Sequence, residues 1–154
     1  MYYAMIILLM GVLPIASIFI EHAVTGADWI MLAGRWFVFW GSGARLLIAG
    51  VRQMLNPAFT AKDIFNITTP GVEKIVTELG FANTAMGILG LASILRADFV
   101  LPAAIVTGLY YALAGSLHLR STHRNRTENW AMLSDFWIFA ILAIYAVTTL
   151  VRGG

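Results

Sequence analysis

Residues 29–51 read WIMLAGRWFVFWGSGARLLIAGV. A run of ~20 mostly apolar residues is long enough to cross a bilayer as a helix. Arg45 lies inside this one. A guanidinium at membrane depth costs at least ~2.5–3.5 kcal/mol on insertion scales, so it needs a carboxylate, a wet cavity or carbonyl partners beside it. The stretch therefore raises two questions: how many such spans the chain has, and which residues share Arg45's depth.

Composition sets the class. Of 154 residues, 60% are hydrophobic and 12% are charged, with a mean hydropathy of +0.81; a soluble domain carries about 25% charged residues. The pattern predicts an all-α, polytopic membrane helix bundle forming a single transmembrane domain over residues 1–154. Five apolar runs emerge, at about 2–20, 29–51, 75–95, 99–119 and 130–151. The first lacks a basic leader and is longer than the apolar part of a signal peptide, so it reads as a membrane helix bent near Pro14.

The connectors are short. Arg96-Ala97-Asp98 predicts a tight antiparallel hairpin of the third and fourth spans. Asn56-Pro57 ends the second, and Thr69-Pro70 is placed to cap and start the third. Asn125 and Glu128 have capping-box spacing ahead of the last. Between them, about 58–68 mixes Phe59, Ile64, Phe65 and Ile67 with Lys62 and Asp63, as an interfacial segment would.

Charge asymmetry orients the bundle. With five spans, Arg52, Lys62, Lys74, Arg120, Arg124 and Arg126 fall on one side, and Arg35, Arg96 and Arg152 on the other. The expectation is a multi-pass protein with a cytoplasmic N-terminus. Two small-residue stripes, Gly80/Thr84/Gly87 and Ala104/Gly108/Ala112/Ser116, predict close packing of the third and fourth helices within one subunit. A homo-oligomer face is the competing use of the same stripe.

Depth then collects the polar residues. Arg45 lies seven residues before Arg52, ~10 Å in at the helical rise. Glu78, Asn83, His118 and Asp135 all fall in the same half of the bilayer, on three other helices, and hydrocarbon does not tolerate them unpaired. Arg45 shares its helical face with Gly34, Val38, Gly41, Ala49 and Arg52. Asp135 shares one with Ala131, Phe139, Leu142 and Ala146, and with Glu128 if the helix reaches it. Glu78 points away from Asn83. Two readings of this set stay open: an ion pair that fixes helix register, or a polar pocket, with Arg45 meeting Asp135 or Glu78, directly or through water, and Asp135 favoured because it is deeper in its span.

Several chemistries are disfavoured. The chain has no cysteine, which removes disulfides, thiolate metal sites and a Cys nucleophile. His118 and His123 are five apart and do not share a helical face, so no metal site is expected. His22 is at the other interface, which disfavours haem. The +2 charge, without a basic aromatic stretch, disfavours nucleic acid. No inverted repeat or pair of interrupted spans supports a transporter.

The stretch Arg45-Leu-Leu-Ile-Ala-Gly50, the run 78–90 ELGFANTAMGILG, and His118 at a helix end before a polar turn into a last helix resemble the DoxX-like small membrane proteins over about residues 40–150. The resemblance implies a four-helix core, to which this chain adds one N-terminal transmembrane helix, in a bacterial inner membrane. It implies an accessory role beside membrane or quinone-linked oxidoreductases, with Arg45, Glu78 and His118 at the matching positions. The segment after Arg52 is longer than the family's, and the family's terminal motif is absent. Two functions follow as expectations: an accessory or lipophile-binding protein, with quinone or lipid as the bound molecule and a membrane protein as partner, or a redox or proton-coupled protein using the Arg/carboxylate/His pocket.

Overall fold

The computed structural model describes residues 2–153. Met1 and Gly154, the two ends of the 1–154 domain read from sequence, lie outside the described residues. Among the described residues every regular element is helical. We number them α1 (Tyr2–Thr25), α2 (29–55), α3 (57–64), α4 (Val72–Ala92), α5 (Ala97–Arg120) and α6 (Arg126–Arg152). Of these, α1, α4, α5 and α6 are long and apolar enough to cross a membrane. The protein is a multi-pass membrane helix bundle. Its outer faces are correspondingly apolar, with Val24, Leu95, Leu113 and Val151 among the exposed large side chains.

The helices outrun the apolar runs that mark them. α1 continues to Thr25 and stops at Gly26, which is left-handed; α6 begins at Arg126, four residues before its apolar stretch. The bend expected at Pro14 takes the form of a π-helical turn over Leu8–Val12. Proline has no N–H for the carbonyl four residues back. That carbonyl, of Met10, accepts a hydrogen bond from Trp137 Nε1 on α6 at 2.8 Å instead.

Two start signals move. The third apolar helix begins at Val72, after Gly71 at φ 88°, so Thr69-Pro70 stands in the turn before it and Thr69 supplies only a turn carbonyl to Val72. A left-handed residue at the entry is one that glycine adopts without penalty. Asn125 does cap α6, accepting from the Glu128 amide at 2.8 Å, but the Glu128 side chain turns elsewhere. Asp28 caps α2 through the amides of Met31 and Ile30. Those two amides, Met31's above all, hold its carboxyl below the ordinary range.

α2 sits in the middle of the bundle. Its centre, Phe37–Ala44, is π-helical, and Val38, Ser42 and Leu46 are sealed from solvent. Here the packing differs from the sequence expectation. α4 does not lay its small stripe on α5; it lays it on α2. A Cβ built on Gly87 would meet the Leu47 backbone nitrogen at 2.5 Å, and one on Gly90 the Gly43 nitrogen at 2.6 Å. Gly50 and Gly80 oppose each other in the same way. α5 packs instead on α6, with Gly108 against Leu142 and Gly115 against Phe136. The short 93–96 turn joins α4 to α5, yet the two helices touch only sparsely. Close backbone approach is what glycine stripes permit in lipid, but a stripe does not name its partner.

Polar clasps tie the remaining faces. Ser42 and Thr107 hydroxyls meet at 2.7 Å between α2 and α5. At the far end of the bundle Glu21 receives both Arg35 Nη1 at 2.6 Å and Trp36 Nε1 at 2.7 Å.

A polar cavity at one end of the bundle

A cavity of about 300 Å³ lies at the end of the bundle where α1, α4 and α6 begin and α2 and α5 finish. All six helices contribute to its wall, α3 included. The polar lining is Tyr2, Arg45, Arg52, Gln53, Thr60, Asn83, Tyr110, Tyr111, His118 and Asp135. The remainder is apolar, mainly leucine, isoleucine, alanine and phenylalanine.

Arg45 is 8% exposed and Asp135 7%. Each owes its place to its helix. The π-helical turn delivers Arg45 directly after Ala44, so its side chain projects from the most enclosed part of α2. The α6 face carrying Ala131, Leu142 and Ala146 is buried, and Asp135 lies on it. The two charges line one cavity, yet no direct ion pair joins them among the described residues. Of the expected meeting of Arg45 with Asp135, directly or through water, the structure shows two charges sharing a wall without a direct bridge. Each is held by its own helix, and both helices are clamped by packing elsewhere.

The guanidinium carbon lies 5.9 Å from the Tyr2 ring centroid, within range of a cation–π attraction. Arg45 Nε has no hydrogen-bond partner, and neither do the Tyr2 hydroxyl and Asn83 Oδ1. Buried polar atoms are normally satisfied, and each exception calls for an explanation. Asn83 is otherwise engaged: its Nδ2 donates to Gln53 Oε1 at 2.7 Å. Tyr111 is committed too, its hydroxyl donating to the Gly41 carbonyl at 2.6 Å.

His118 sits lower in the same wall. Its Nδ1 lies 3.2 Å from Glu128 Oε1, both side chains being almost wholly buried. The Phe65 ring of the connecting segment stacks on the imidazole at a centroid distance of 5.8 Å. A carboxylate on one ring nitrogen fixes the orientation of the other, which is how an imidazole is prepared for proton exchange or ligand contact. At the outer edge Arg52 lies over the Phe59 ring at 3.6 Å.

Of the five residues singled out from sequence, Arg45, Asn83, His118 and Asp135 line this cavity, and Glu78 does not. Glu78 is exposed on the outer side of α4, because Asn83 takes the inward face and the two point in opposite directions on one helix. Sequence reasoning missed Tyr2, Gln53, Tyr110 and Glu128 as members of this wall and its support. Gln53 carried a signal, lying eight residues after Arg45 on nearly the same face. Glu128 carried one too, sharing Asp135's face, but capping-box spacing offered it another role. Tyr2 and Tyr110 carried none, since nothing local says which helices α1 and α5 will face. Among the described residues no group of His, Cys, Asp and Glu has the arrangement of a metal site. The chain matches no known family model, and neither curated proteins nor solved structures include one significantly similar to it.

Proposed function

We propose that this protein binds a lipophilic molecule with a polar head, a quinone or a lipid, and serves as an accessory subunit of a membrane complex. The observation carrying the reading is the convergence of the polar side chains Tyr2, Arg45, Asn83 and Asp135 on one cavity, three of them keeping a buried atom without a hydrogen-bond partner. An unpaired buried donor or acceptor costs ~1–3 kcal/mol. A head with a carbonyl or other acceptor suits the Arg45 guanidinium, and a hydroxyl on the same head suits Asn83 or Asp135. Ligand sites are largely apolar, with a few converging polar groups, and this cavity has that make-up.

The same proposal includes five crossings, with 29–51 as the second despite Arg45, a cytoplasmic N-terminus from the Lys/Arg asymmetry, and a bacterial inner membrane from the resemblance to DoxX-like proteins. A DoxX-like ancestry accords with it. A second reading, proton-coupled chemistry, draws on one further observation, the buried His118–Glu128 pair beside the cavity. In it the imidazole passes protons between the head and the rim.

Organic extraction and native mass spectrometry of protein purified in mild detergent test the proposal. The expected result is a quinone or lipid at near one per chain, lost in Arg45→Gln. An empty wild-type protein that is not stabilised by added quinone or lipid would overturn it. If the molecule binds but His118→Gln leaves the pH dependence of its binding unchanged, the proton-coupled reading fails and the binding role stands.

A further inference from the structure

The cavity's wall is not uniform. Its polar inner side is buried, while three of its apolar residues also face outwards: Leu113 is 71% exposed, Leu117 63% and Ile48 45%. Leu113 and Leu117 stand one turn apart on α5, and Leu79 lines the cavity from α4. These are the two helices that touch only sparsely, because the glycines of α4 are committed to α2 and α5 is committed to α6. The cavity thus runs from a charged interior to an apolar rim between α4 and α5, at a level where both helices are membrane-spanning in length and composition. In the five-crossing arrangement proposed above, the outside of such a rim faces hydrocarbon.

Volume decides what can pass. About 300 Å³ is at the low end for pockets that enclose a drug-sized ligand. It accommodates a small head, not a head plus an isoprenoid or acyl chain. We infer that the ligand enters sideways from the bilayer between α4 and α5, head first, and leaves its hydrocarbon tail outside between Leu79, Leu113 and Leu117. The inference rests on the binding role proposed above and adds the route, the orientation and the class: a single-tailed amphiphile with a small head that accepts a hydrogen bond from Arg45. A benzoquinone and a fatty-acid carboxylate share that chemistry.

Photo-crosslinking of the full chain in lipid nanodiscs tests it. Two probes carry a diazirine at the tail end: a decyl-benzoquinone and palmitate. Adducts are mapped by peptide mass spectrometry, and a tailless benzoquinone is titrated in parallel by calorimetry. The expected result is adduct formation on the peptides holding Leu79, Leu113 and Leu117 with at least one tailed probe, and which probe succeeds separates the two head chemistries. Leu113→Trp/Leu117→Trp, a change at exposed positions, should slow association of that tailed probe about tenfold, a larger effect than on the tailless one. Adducts in the apolar groove of Ile7, Val12 and Trp137 between α1 and α6, with head binding still dependent on Arg45, would overturn the route while leaving the binding role intact. If no probe, tailed or tailless, binds in an Arg45-dependent way, the binding role fails and the route with it.

Discussion

Arg45 and Asp135 illustrate how the interior of a helix bundle holds charge without a direct bridge. Each is almost buried, and each faces the same cavity. Breaking a contacting buried pair costs ~3–5 kcal/mol; without contact the penalty is smaller, but the two still feel one field. Arg45→Met and Asp135→Leu should each lower stability in detergent denaturation. The double variant should lose less than the sum, with a coupling of at least about 0.5 kcal/mol. Strict additivity would show that the two charges are independent. Pro14 offers a second residue-level test. Its missing N–H leaves the Met10 carbonyl to Trp137. Trp137→Phe should therefore cost ~1 kcal/mol, the net worth of such a bond. In a Pro14→Ala background, where the helix can supply its own donor, the same change should cost measurably less. Equal costs in both backgrounds would mean that the indole bond does not stand in for the helix's own.

Helix pairing depends on glycine in a way that ranks substitutions. A methyl at Gly87 meets the Leu47 backbone, which has nowhere to go, at 2.5 Å; at Gly108 it meets only the Leu142 side chain at an ordinary 3.5 Å. Gly87→Ala should therefore destabilise by ~1–3 kcal/mol, the usual cost of overpacking. Gly108→Ala should be tolerated. Thermal unfolding of the two variants in one detergent provides the comparison, and the reverse order would mean that α2 and α4 are not in backbone contact.

The bundle carries its polar cavity at one end, and its orientation is open to direct measurement. The chain has no cysteine, so single cysteines report without background. Lys62 and Thr122 are exposed on the connections at the cavity end, and Ala97 is exposed on the turn at the other. In intact bacterial cells a membrane-impermeant thiol reagent should leave Lys62→Cys and Thr122→Cys unlabelled and should label Ala97→Cys. Labelling at either of the first two would invert the topology or change the number of crossings. Thr60, though in the same segment, is buried and is no reporter.

What could be read from residues alone was the class of protein, the stop of the second span before Pro57, and the end of the bundle that Arg45, Asn83, His118 and Asp135 share. These depend on local quantities: an apolar run long enough for a bilayer, a proline without a donor at Pro57, a charge count per connector, a rise of ~1.5 Å per residue. The inward faces of α2 and α6 were legible for the same reason, since helical periodicity places Val38 with Arg45 and Leu142 with Asp135. Choice of partner was not legible. Gly80 and Gly87 mark a helix that something approaches closely, but the glycine stripe is equally ready for α5 or α2, and only the folded chain seats it on α2. That choice parts α4 from α5, opens the leucine rim, and brings Tyr2 of the first helix beside Arg45 of the second. Contacts between distant segments depend on how all the helices pack at once, and no single stretch of sequence carries that information.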